Sequence, residues 1–97
     1  MEYTQAIKST PVVLVEFYAN WCPHCQRMIP VIDEIKELLT GQADVYQLDI
    51  DLNKELADIE KINSTPTFII YKSGKPVWRE SGEIDGQLLL SKIQSYM

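Results

Sequence analysis

The feature that most constrains this chain is the motif W-C-P-H-C at residues 21–25, which holds its only two cysteines and its only histidine. An apolar run, Val12 to Tyr18, precedes the motif, and a helical pattern, Gln26 to Thr40, follows it. Cys22 is therefore predicted to lie where a strand ends and a helix begins. The free backbone N–H groups of a first helical turn carry partial positive charge, so they stabilise a thiolate and lower its pKa. Cys25, one turn on, faces Cys22, which is typical of a thiol pair that exchanges disulfides.

Two other uses of the cysteine pair are open at this point. A structural disulfide across so short a loop removes little unfolded-state entropy, about 2 kcal/mol by the loop-length relation. Structural zinc takes four ligands and an iron–sulfur cluster needs four thiolates, whereas the motif offers two cysteines and one histidine. We therefore expect no metal, and no cofactor beyond a redox-active Cys22–Cys25 disulfide.

The bulk properties narrow the class of protein. Its 97 residues predict one domain, residues 1–97. The net charge of −5 disfavours nucleic acid as a partner, and no apolar run is long enough to span a membrane. The first ten residues lack the basic and apolar regions of a secretory signal, which predicts a cytoplasmic protein. An extracytoplasmic location stays open, because removal of a signal segment would leave the same sequence. A monomer is the default expectation.

Hydrophobic periodicity and turn residues predict eight elements in the order α-β-α-β-α-β-β-α. Helices are expected at Glu2–Lys8, at Gln26–Thr40 starting from the motif, after an Asn53 cap and after an Asp85 cap. Strands are expected at Val12–Tyr18, Asp44–Ile50, Thr67–Tyr71 and Pro76–Ser81. Leu38, Ile59 and Leu88 are expected on buried helix faces. A strand–helix–strand unit followed by a hairpin indicates a mixed sheet in an α/β protein.

This order, with W-C-x-x-C after the first strand and T-P before the third, resembles the thioredoxin family over nearly the whole chain. The resemblance is carried by F-Y-A-N-W-C-P-H-C (17–25), Pro30, L-D-I-D (48–51), S-T-P-T-F (64–68), K-S-G-K (72–75) and Gly82. It implies the thioredoxin fold, three layers α/β/α. Because the chain starts too late for the usual first edge strand, we expect a four-stranded mixed sheet with the Val45 strand at an edge.

The chain departs from the usual thioredoxin pattern near the motif. Pro23-His24 replaces Gly-Pro and is similar to the pair in oxidising Dsb-type enzymes. Glu16 stands where thioredoxins carry a buried Asp, as in protein disulfide isomerase domains, and Gln47 replaces a nearby Lys. Thr65 replaces the usual Ile before the family's cis-proline and looks more like the isomerase-type members.

These residues receive predicted roles. Cys22 is the nucleophile and is expected to be the more exposed sulfur, and Cys25 resolves the mixed disulfide. Pro23 suits an early helix position. His24 is expected to bring positive charge or an imidazole N–H near the Cys22 thiolate, which predicts a more oxidising couple than a Gly-Pro thioredoxin. Burial is expected to raise the pKa of Glu16, which then takes the proton from Cys25.

The remaining predicted site residues bind substrate. Thr65–Pro66 is expected to be a cis bond beside the cysteines, with the Thr65 backbone pairing with an extended substrate segment. Trp21 is expected to cover the site as an apolar contact surface.

The resemblance implies a protein thiol–disulfide oxidoreductase that acts on protein disulfides and takes electrons from a thioredoxin-reductase-type donor. We expect a reductase. The alternatives are an oxidase or isomerase of the Dsb or protein disulfide isomerase type, and a non-catalytic binding module of the same fold.

Overall fold

The computed structural model describes residues 2–97, which form eight elements in the predicted order. The helices are α1 Tyr3–Ala6, α2 Pro23–Leu38, α3 Lys54–Ile59 and α4 Gly86–Ser95, and the strands are β1 Val12–Tyr18, β2 Asp44–Asp49, β3 Thr67–Lys72 and β4 Lys75–Ser81. Within this part of the chain, no helix is long and apolar enough to cross a membrane.

The four strands form one mixed sheet in the order β2-β1-β3-β4. Strand β1 runs parallel to β2 and antiparallel to β3, and β3 pairs antiparallel with β4 through the Lys72–Lys75 turn. Ser73 and Gly74 take φ values of +52° and +79° in that turn. The predicted four-stranded sheet, with the Val45 strand at an edge, is confirmed.

Helices cover both faces of the sheet because β1 is apolar on both sides. Val12 and Leu14 pack in one buried cluster with residues of α2 and α4. Val13, Val15 and Phe17 pack in a second cluster towards α1 and α3. Successive strand residues point to opposite faces, so the side chain of Glu16 shares its face with Leu14 and is directed under α2.

Three apolar residues expected inside lie at the surface. Leu38, Ile59 and Leu88 are 53%, 64% and 64% exposed, so that prediction is wrong for each. Each of the three lies one or two residues from a buried residue of the same helix. On a helix with 3.6 residues per turn, that offset turns its side chain away from the core. The buried positions are Ile35 and Leu39 at the end of α2, Ala57 in α3, and Leu89 and Ile93 in α4.

The two predicted helix caps have different outcomes. Asp85 caps α4, since its Oδ2 accepts hydrogen bonds from the backbone N–H groups of Gln87 and Leu88 at 3.1 and 3.2 Å. Asn53 occupies the N-cap position of α3 without a capping hydrogen bond from its side chain. Its Nδ2 donates to the backbone carbonyl of Asp49 at 2.9 Å, so this residue braces the end of β2 instead.

Candidate active site

Cys22 lies at the junction between β1 and α2, as predicted. It is the N-cap residue of α2, and its Sγ accepts a hydrogen bond from the backbone N–H of Cys25 at 3.4 Å. Pro23 takes the first helical position, where a missing N–H costs no hydrogen bond. Both cysteines are free thiols. The sulfur therefore occupies the place that a capping oxygen takes in other helices, and a negative charge there is stabilised.

Environment, rather than exposure, distinguishes the two thiols. Both cysteines are nearly covered: Cys22 is 4% exposed and Cys25 is 3% exposed, which is the predicted order with only a small difference. Burial acts to raise the pKa of Cys22, but hydrogen bonds with the side chains of Thr65 and Cys25 and from the backbone N–H groups of Cys25 and His24 outweigh it, and the pKa is lowered. Burial, followed by the interaction with Cys22, raises the pKa of Cys25 to about 11. Cys22 is thus the readier nucleophile.

The ring of His24 is turned towards other charged side chains. Its Nδ1 lies 2.6 Å from Oε2 of Glu83 and 2.9 Å from NH2 of Arg27. Hydrogen bonds from Arg27 and then His24 lower the pKa of Glu83 to about 2. The contact from His24 that lowers the pKa of Cys22 comes from its backbone N–H. The expected placement of the imidazole beside the thiolate is therefore not what the structure shows.

Glu16 lies behind Cys25 and is 2% exposed. Its Oε1 accepts a hydrogen bond from Nε2 of Gln47 at 3.0 Å, and both side chains line a cleft of about 250 Å³ that Cys25 and Asp33 also line. Burial raises the pKa of Glu16, the hydrogen bond from Gln47 opposes that shift, and the charge of Asp33 adds to it. A carboxyl group in this state can accept a proton from a neighbouring thiol.

The Thr65–Pro66 peptide bond is cis and adjoins Cys22. The thiol of Cys22 donates to the carbonyl oxygen of Thr65 at 3.4 Å. A groove of about 320 Å³ runs along this edge of the site between the motif and the loop before β3, and its lining includes Trp21, Cys22 and Thr65. The groove therefore borders both Cys22 and the loop that holds the cis bond.

Trp21 stands at the rim of the groove with 67% of its surface exposed. Its Nε1–H donates to Oδ2 of Asp51 at 2.9 Å, so the indole is held although it is exposed. Asp51 is itself placed by the hydrogen bond from its backbone N–H to Oδ1 of Asp49 at 2.8 Å.

Sequence reasoning missed Glu83 and Arg27. Arg27 follows His24 by three residues on a helix, a spacing that puts the two side chains on one face and marks them as neighbours. Glu83 directly follows Gly82, which the resemblance places near the end of the last strand, but no local pattern links it to a residue 59 positions earlier. Across residues 2–97, no group of three or more His, Cys, Asp or Glu side chains is arranged to hold a metal ion.

Comparison with known proteins agrees with this geometry. The thioredoxin family model matches residues 1–97. Thioredoxin Y, chloroplastic, of Oryza sativa subsp. japonica is 40% identical over 91% of this chain and 52% of its own length. Thioredoxin of Chlorobaculum thiosulfatiphilum is 33% identical over 97% of this chain and 87% of its own. This chain spans about half the length of the rice relative and most of the bacterial one.

A solved structure shows the same fold. A mutant thioredoxin from Halobacterium salinarum NRC-1 superimposes with a TM-score of 0.89 and 33% identity, covering 98% of this chain and 82% of that one. The match extends over the sheet, the helices and the motif between β1 and α2. From the family match, the relatives and the shared fold, the chain belongs to the thioredoxin family.

Proposed function

We propose that this protein reduces disulfide bonds in other proteins through Cys22 and Cys25. The observation that carries the proposal is the opposite environment of two neighbouring thiols, with the pKa of Cys22 lowered and that of Cys25 raised to about 11. Such a pair provides one sulfur that forms a thiolate more readily and another that stays protonated until it is needed.

The reaction proceeds in two exchange steps. The Cys22 thiolate attacks one sulfur of a substrate disulfide held in the groove, forming a mixed disulfide and releasing the other substrate sulfur as a thiolate, which takes up a proton. Cys25 then loses its proton to the Glu16 carboxylate and attacks the sulfur of Cys22. The second substrate thiolate leaves, and the Cys22–Cys25 disulfide remains. Two electrons pass from the protein dithiol to the substrate.

The groove supplies the substrate contacts in this proposal. The backbone of Thr65, next to the cis bond to Pro66, pairs with an extended substrate segment, and the exposed face of Trp21 packs against its apolar side chains. A thioredoxin-reductase-type protein re-reduces the disulfide, and the protein acts as a monomer. The cytoplasmic location is a prediction that cell fractionation would check.

Reduction of insulin by dithiothreitol tests the proposal. The wild-type protein should accelerate the reaction, and Cys22→Ser should return the rate to that of dithiothreitol alone. Equal rates for the two proteins would contradict catalysis and favour the non-catalytic binding module. Equilibration with glutathione then separates the reductase from the oxidase alternative that Pro23-His24 suggests, because an oxidase holds its dithiol as the more stable form.

A further inference from the structure

A charged cluster on the surface ties the start of α2 to the segment after β4. It consists of Glu83, His24 and Arg27, and we call it the Glu83 cluster. Arg27 Nε donates to both carboxylate oxygens of Glu83 at 3.1 and 3.0 Å, and its NH2 donates to Oε2 at 2.8 Å. His24 Nδ1 lies 2.6 Å from the same Oε2. One carboxylate therefore binds both side chains.

The short contact to Oε2 fixes the hydrogen on the imidazole of His24. A carboxylate oxygen only accepts, so a separation of 2.6 Å requires Nδ1 to carry the hydrogen and donate it to Glu83. The NH2 group of Arg27, 2.9 Å from Nδ1, then finds no lone pair there and directs its hydrogen bond to the carboxylate. Glu83 thus sets both the tautomer and the direction of the ring.

Both side chains that the carboxylate binds belong to the helix that begins at Cys22. His24 is two residues from the Cys22 sulfur, and within the described chain its ring donates a hydrogen bond to Glu83 and lies beside Arg27. The hydrogen bond and charge of Glu83 raise the pKa of Arg27, and the Cys22 thiolate adds to that effect, so the guanidinium lies within electrostatic reach of the sulfur. Glu83 competes with the thiolate for the same two groups.

We propose that Glu83 is a positioning residue that, clamped by Arg27, holds the imidazole of His24 away from Cys22 and so makes the dithiol a stronger reductant than the Pro-His pair alone would give. A thiolate that receives less stabilisation makes the reduced form less stable, which favours transfer of electrons to a substrate. The inference rests on the proposed exchange reaction and names the residue that adjusts its driving force.

The experiment compares wild type with Glu83→Gln, each in the wild-type and the His24→Gln background. Two quantities are measured: the iodoacetamide rate of Cys22 against pH, and the equilibrium constant with glutathione. In Glu83→Gln we expect the rate at mildly acidic pH to rise about threefold as the pKa of Cys22 falls by about half a unit. The equilibrium constant for disulfide formation should fall about threefold, a potential higher by about 14 mV. In the His24→Gln background each change should shrink to less than about 1.5-fold.

Two controls separate this role from the loss of a charge alone. Glu80→Gln removes an exposed carboxylate from β4, outside the Glu83 cluster, and should change neither quantity. Long-range ¹H–¹⁵N spectra of wild type should show the hydrogen of His24 on Nδ1, and Glu83→Gln should lose that preference.

The outcomes that overturn the proposal are distinct. No change in Glu83→Gln, an equal change in both backgrounds, or a wild-type His24 with its hydrogen on Nε2 would each remove the role of Glu83 while leaving the exchange reaction intact. If wild-type Cys22 neither reacts faster than a peptide thiol nor forms a disulfide with Cys25 in glutathione, the proposed function fails and this inference falls with it.

Discussion

Two carboxylates flank the dithiol, one on the side of each cysteine, and their settings are opposite. Glu16 is 2% exposed, lies behind Cys25 and has a raised pKa, whereas the side chain of Glu83 is 37% exposed, lies on the Cys22 side and has a pKa lowered to about 2. Burial disfavours the charge of the first, and two cationic or donor groups stabilise the charge of the second. The buried group is suited to take up and release a proton, and the exposed one to remain an anion.

The two thiols also have different surroundings. Cys22 faces the backbone N–H groups of α2 and the groove, and Cys25 faces the cleft that contains Glu16. Hydrogen bonds lower the pKa of Cys22, whereas burial raises that of Cys25, so the two sulfurs differ in reactivity although both are nearly covered. Four predictions test this difference between the Cys22 side and the Cys25 side of the dithiol, beginning with the largest effect.

Replacing each cysteine by serine should break the reaction at different steps. Cys22→Ser should lower the catalysed insulin reduction by about 1000-fold or more, since no thiol can form the mixed disulfide. Cys25→Ser should still attack but stop there, so a covalent complex with the substrate accumulates and is visible by mass spectrometry. Accumulation in Cys22→Ser instead would reverse the assignment of the two roles.

Glu16→Gln should slow turnover by about tenfold while the first attack by Cys22 stays nearly unchanged. The loss is smaller than the usual contribution of a general base because water in the cleft can also accept the proton of Cys25. Rapid-mixing measurements resolve the two steps. Asp33→Asn, which keeps the carboxyl group of Glu16 and removes one charge that raises its pKa, serves as the comparison variant and should slow turnover less. Equal slowing of both steps in Glu16→Gln would take Glu16 out of the mechanism.

The pH dependence of unfolding should reveal the buried carboxyl group. The pKa of Glu16 is 4.5 in the unfolded chain and is higher in the folded protein. At a pH between the unfolded-state and the folded-state pKa, the folded protein therefore binds more protons than the unfolded chain. Stability therefore falls as the pH rises through that window and levels off above the folded pKa. Glu16→Gln should lack this fall. Urea unfolding of both proteins across the window measures it, and parallel stability curves would contradict the raised pKa.

Glu83→Gln should have the smallest effect on stability. The lowered pKa of Glu83 means that its contribution is present above pH 4.5 and is lost as the pH falls through about 2. Because the group is exposed, salt screens this contribution, and thermal unfolding at high salt should not distinguish the variant from wild type. A large loss of stability at high salt would mean that Glu83 holds the fold rather than the ring of His24.

Local pattern was sufficient for the order of the elements and for much of the site, and the resemblance supplied the fold. The apolar run before the motif predicted β1, alternation along it predicted the burial of Glu16, and the helix that follows predicted the environment of Cys22. The alternation and the helix start depend only on neighbours in the chain. The edge position of the Val45 strand followed from the order of elements and the resemblance.

Those local patterns did not predict contacts between residues that are far apart in the sequence. The direction of the His24 ring depends on Glu83, whose position is set by where β4 ends and how the chain returns to α4. The low exposure of Cys22 depends on the loop at Thr65 and on the packing around Ala19, neither of which local periodicity describes. Ile59 fits a helical pattern, yet the short α3 turns Ala57 to the core instead.

The reactivity of Cys22 with iodoacetamide at mildly acidic pH tests the central claim most directly. If the backbone N–H groups at the start of α2 and the side chain of Thr65 stabilise the thiolate, Cys22 should react several-fold faster than a free peptide thiol, and Cys25 should stay unmodified until the pH approaches 11. A Cys22 that reacts no faster than the peptide thiol would contradict the account.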